Sequence, residues 1–136
     1  MRMGTVVCLI DSSSDADALR AAAGLSHGAG LRLVAVHVVP PEADMEGQAR
    51  AKRDAQALLE HVITDAGLDR SVDKRVEVGE PAREVARVAS EEAASLIVLN
   101  TPRHPWWRHD HNDTLAKDLT ATAPCPVMVA PHPRER

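Results

Sequence analysis

The chain has 136 residues, enough for a single domain, residues 1–136, that buries its own core without disulfides or a metal. Phenylalanine and tyrosine are absent, so that core must be aliphatic, and Trp106 and Trp107 supply the only aromatic area. A net charge of −4, with acids and bases interspersed, leaves no basic stripe to neutralise a phosphate backbone and argues against nucleic acid as a partner.

Thr5 to Ile10, TVVCLI, is a continuous apolar and β-branched run ending at Asp11, the pattern of a central parallel strand covered on both faces. The N-terminus enters this strand without the apolar segment and small-residue cleavage site of a signal peptide, and no run approaches the length of a membrane span. A cytoplasmic location and no membrane contact are therefore expected. A helix follows, with Ser13 or Ser14 as its N-cap, Asp15 and Asp17 favouring its positive end, and Gly28 and Gly30 stopping it. Leu31 to Val39 is the second strand, broken by Pro40-Pro41.

From Glu42 to about Ala66 the pattern is helical, with Ala55, Leu58, Leu59, Val62 and Ile63 forming an apolar stripe that ends at Gly67. Ser71 to Val78 alternates polar and apolar residues, which suits an edge strand or one with a less buried face. After a Gly79-Glu80-Pro81 turn, Pro81 opens a helix whose buried face is Val85, Val88, Ala89 and Ala93. Ser95 to Leu99 is the fourth strand. A polar loop follows Asn100, then a helix expected from Thr114, then a last strand from Pro126 to Ala130.

Strands alternating with helices, without repeats or low-complexity segments, predict right-handed parallel crossovers and one doubly wound α/β sheet of five strands with helices on both faces. If the strand order reverses between the first and fourth strands, Asp11 and Asn100 end in one crevice, where open α/β sheets hold their ligands. The two cysteines, Cys8 and Cys125, lie in or beside apolar strand patterns and read as reduced thiols without a catalytic role.

The segments VVCLIDSSSDADAL, LVAVHVVP, VEVGEPAREVARVASEEAASLIVLN and ATAPCPVMVAP, in this order and spacing, resemble the universal stress protein family over nearly the whole chain. The resemblance implies the same Rossmann-like five-stranded sheet, usually dimeric. It also implies an ATP site in many members, built on a motif of Gly, two residues, Gly, nine residues, then Gly and Ser or Thr. Laid on this chain the glycine positions are Asn100, Arg103 and Asp113, followed by Thr114. The resemblance also matches Asp11 to the strand-one acid that contacts adenine or ribose, and Val38 to the strand-two position whose backbone faces the base. As residues alone, Asp11 reads as a loop starter that bonds local backbone, and Val38 as core.

The spacing is kept, but all three glycines are gone. Glycine in such loops permits positive φ and lets N–H groups approach phosphate oxygens; Pro102 and Pro105 remove donors outright. Asp113, capping a helix that begins at Thr114, would occupy the N–H groups that hold the anion and set a negative charge beside it. Arg103 and Arg108 are offset by Asp110 and Asp113.

His104, His109 and His111 match no recognised zinc spacing, so no metal is expected. Trp106 and Trp107 can stack on a base, plug the crevice or enter a partner, and the latter two suit a loop without glycines better. No paired acid and base or nucleophile motif supports a phosphatase or slow ATPase using His109 or Asp110. The expectation is a non-enzymatic stress-type protein with a degenerate ATP site and no required cofactor, acting through unidentified protein partners and a homodimer on Pro126–Ala130. The alternative is a small regulator that binds ATP, AMP or a cyclic nucleotide in the same crevice.

Overall fold

The computed structural model describes residues 4–68, 71–100 and 111–130, with the side chains of 111–114 excepted. Its elements are β1 (Thr5–Leu9), α1 (Ala16–Ala29), β2 (Arg32–Val39), α2 (Met45–Asp65), β3 (Val72–Val78), α3 (Pro81–Glu91), β4 (Ala94–Asn100), α4 (His111–Thr122) and β5 (Val127–Ala130). The strands form one parallel sheet in the order β3-β2-β1-β4-β5, so the order reverses between β1 and β4 as expected.

Alternation along each strand divides the core between the two faces of the sheet. Val6, Cys8, Ile10, Leu33 and Ala35 pack with Leu19, Leu59 and Val62 of α1 and α2. Val7, Leu9, Val34, Val36, Ile97 and Leu99 pack with Val85 and Val88 of α3 and Leu119 of α4. The central strand β1 is buried along its whole length, which explains its unbroken apolar sequence. The alternating strand, β3, lies at one edge.

Helix ends depart from the sequence expectation in ways that matter for the site. Helix α1 runs through Gly28 to Ala29; only Gly30, at φ 68°, terminates it, its N–H donating to the His27 carbonyl while the Leu31 N–H reaches the Ser26 carbonyl at 2.7 Å. At its other end the flanking residue is Asp15, not Ser13 or Ser14. Helix α2 has Asp44 as its cap, accepting from the Gly47 N–H at 2.6 Å. Helix α3 does place Pro81 in its first turn, and Glu80 caps it by accepting from the Ala82 and Arg83 N–H groups. Helix α4 opens at His111, so Asp113 lies inside its first turn and not at the flanking position expected of a cap.

Candidate functional site

The carboxyl ends of β1 and β4 meet at the reversal in strand order, and one side chain joins them. Asp15, only 3% exposed, sends its carboxylate away from α1 and makes no hydrogen bond to that helix's N–H groups. Its Oδ2 accepts from the Asp11 N–H at 2.6 Å and the Ser12 N–H at 3.1 Å. Its Oδ1 accepts from Asn100 Nδ2 at 2.5 Å, across 85 residues of chain. The residues that sequence reasoning placed in one crevice, Asp11 and Asn100, are thus brought together by a third that it treated as a dipole-favouring acid.

Asp11 itself is exposed. The acid that bonds local backbone is Asp15, four positions further on. Val38 is partly buried and packs against the core on the α3 and α4 side. Beside it, His37 places Nδ1 2.6 Å from the Ile10 carbonyl. A carbonyl only accepts, so Nδ1 carries the proton in this contact and Nε2 is left as the second nitrogen of the ring. The signal for His37 was present in the sequence as a histidine within an otherwise apolar strand.

Arg103, the Trp106-Trp107 pair, His104 and His109 lie outside the described residues. Asp113, Thr114 and His111 belong to α4 by backbone, and their side chains lie outside the description. Among the described residues, no group of three or more His, Cys, Asp or Glu side chains stands close enough to hold a metal ion. Further surface depressions are lined by described residues away from this crevice. One of about 350 Å³ separates α3 from α4 beside Arg83 and Asp118, and another of about 540 Å³ flanks α2 and β3 beside Glu60 and Lys74.

Cys8 sits fully buried beneath this end of the sheet, and its thiol pKa is raised well above the usual range, chiefly by burial and further by the charge of Asp15. Cys125 is half-buried, and burial raises its thiol pKa as well. A raised pKa keeps a thiol protonated and unreactive. Native protein at about pH 8 should therefore leave Cys8 unlabelled by a thiol reagent such as dithionitrobenzoate, with labelling of both cysteines on denaturation. Rapid labelling of Cys8 in the folded state would contradict its placement.

A parallel five-stranded sheet that reverses between β1 and β4, with side chains converging at that reversal, defines a protein of the doubly wound class whose crevice lies at the carboxyl ends of the strands. The universal stress protein family model matches residues 3–131, and the chain belongs to that family. A universal stress protein structure from Archaeoglobus fulgidus is 22% identical with a TM-score of 0.69, the alignment covering 95% of this chain and 98% of that one. A family member from Burkholderia pseudomallei is 26% identical with a TM-score of 0.64, covering 95% and 96% of the two chains. A universal stress protein solved in complex with cAMP is 16% identical with a TM-score of 0.70, covering 93% and 96%. A search of curated proteins gives no match. No helix among the described residues is long and apolar enough to cross a membrane.

Proposed function

We propose that this chain is a non-enzymatic universal stress protein of the cytoplasm, acting through self-association and contacts with other proteins, with a crevice degenerate toward ATP. The observation that carries the reading is the bond from Asn100 Nδ2 to Asp15 Oδ1. Asn100 occupies the family's first glycine position, and its side chain is engaged inside the protein. The missing glycines at Arg103 and Asp113 point the same way. Without them, backbone N–H groups lose their close approach to phosphate.

A second reading is favoured by one specific finding: proteins of this fold have been solved with dAMP and with cAMP. On that reading the chain is a regulator that takes an adenine nucleotide in the crevice at the ends of β1 and β4, with Asp11, exposed just after β1, toward the ligand. Calorimetric titration of the full chain with ATP, AMP and cAMP separates the two. The degenerate crevice gives no saturable heat up to on the order of 1 mM ligand, whereas dissociation constants on the order of micromolar for any of the three establish the regulator.

A further inference from the structure

Pairing between β1 and β2 ends at Leu9 and Val36, although β2 runs on to Val39. The next N–H, that of Ile10, still reaches the Val36 carbonyl at 2.8 Å. In a continuing parallel ladder the Ile10 carbonyl would accept from the Val38 N–H. It accepts instead from Nδ1 of the His37 ring at 2.6 Å. Ile10 is fully buried, so its carbonyl needs a donor, and a side chain has taken the place of the backbone one.

Backbone groups alternate sides along β2. The Val36 carbonyl faces β1, and the Val39 carbonyl faces β3, where it accepts from the Gly79 N–H at 3.0 Å. Val38, two positions on from Val36, therefore turns its N–H toward the end of β1, and no bond joining β1 to β2 uses it. Asp11 is affected as well. Its N–H belongs to the same peptide group as the Ile10 carbonyl and donates to Asp15 Oδ2 at 2.6 Å. One peptide is thus gripped at its oxygen from β2 and at its nitrogen from the residue before α1, which fixes the plane from which the exposed Asp11 side chain departs. We propose that His37 is a positioning residue of the crevice: by taking the Ile10 carbonyl it ends the β1–β2 ladder, leaves the Val38 N–H open at the end of β1 and fixes where Asp11 stands. Its effect on a ligand rests on the adenine-nucleotide reading, whereas its effect on the backbone does not.

The test uses the full chain and reads the imidazole nitrogens and the amide exchange rates by NMR. In the wild type the neutral ring carries its proton on Nδ1, and a ring protonated on Nε2 alone overturns the proposal. The Val38 amide exchanges at least about tenfold faster than those of His37 and Val39, which face β3 and pair with it. His37→Phe keeps a ring and removes the donor, so the freed Ile10 carbonyl takes the Val38 N–H and slows its exchange at least about tenfold. His37→Asn places an amide nitrogen near the Nδ1 position and restores the wild-type rate. A wild-type Val38 amide as slow as its neighbours, or one unchanged in the phenylalanine variant, overturns the proposal. Where that variant fails to fold by circular dichroism, the ring proton and the wild-type exchange rates decide alone.

Calorimetric titration with AMP keeps the proposal apart from the reading behind its ligand. A wild type that binds AMP should lose at least about tenfold in affinity on His37→Phe and recover it with His37→Asn. Equal binding by the phenylalanine variant overturns the positioning role. A wild type silent to AMP ends the adenine-nucleotide reading, and the ring proton and the Val38 exchange rate then decide the role of His37.

Discussion

Leu119→Ala is expected to lower the free energy of unfolding by about 2–5 kcal/mol, measured by urea denaturation. Leu119 is fully buried in the cluster it shares with Val85, Val88, Ile97 and Leu99. Among the described side chains of α4 no other is fully buried, while Leu115 and Ala116 are half-buried. Among the described side chains of α4, Leu119 reaches deepest into the cluster beneath the sheet. Among the described residues the cluster around Leu119 is aliphatic, with no ring to swing into the vacated space, so most of the cavity should persist. With total stabilities of small domains near 5–15 kcal/mol, a loss of this size is a large share. Leu25→Ala, at a position 42% exposed, supplies the contrast and should change stability by no more than about 0.5 kcal/mol. Equal effects at the two positions would mean that α4 is not anchored through Leu119.

Much of this architecture was legible because burial on both faces leaves an unmistakable mark. The run TVVCLI read as a central strand and SVDKRVEV, alternating, as an edge strand or one with a less buried face, and the sheet places both accordingly. Helix ends were less legible, for a local reason. Gly28 and Gly30 carry the same chemical signal, and the choice of Gly30 depends on which register lets Leu31 close back on Ser26. At α4 the expected start at Thr114 relied on Asp113 acting as a cap, yet the helix already includes His111. The candidate site was half legible. That Asp11 and Asn100 would meet followed from strand order, whereas the role of Asp15 did not. An aspartate before a helix reads as a cap, and only the adjacency of β1 and β4 supplies the distant amide that turns its carboxylate the other way.

Charged substitution of the last strand, Val127→Lys with Val129→Lys, is expected to convert a dimer into a monomer. The two edges of the sheet are chemically unlike. Strand β3 carries Asp73, Lys74, Arg75 and Glu77, and Arg75 is further tied to Glu91 and Glu92. Charge of this kind protects an edge from pairing. Strand β5, VMVA, carries none, and Val129 is 44% exposed. An apolar edge strand invites a partner, and the simplest partner is the same strand from a second copy, antiparallel about a two-fold axis. That arrangement makes the contact self-complementary, so each lysine introduced on one copy faces the lysines of the other. Repulsion between them, added to the loss of apolar contact, acts twice across one interface. The fold itself should survive, because Val127 is only partly buried and Val129 is exposed. The competing outcome is a monomer whose edge is blunted by the prolines that follow in sequence, Pro131 and Pro133, and by the charged end of the chain. Light scattering at micromolar concentration decides between them. A dimeric wild type and a folded, monomeric double variant support pairing through β5, and either a monomeric wild type or a double variant that remains dimeric sinks it.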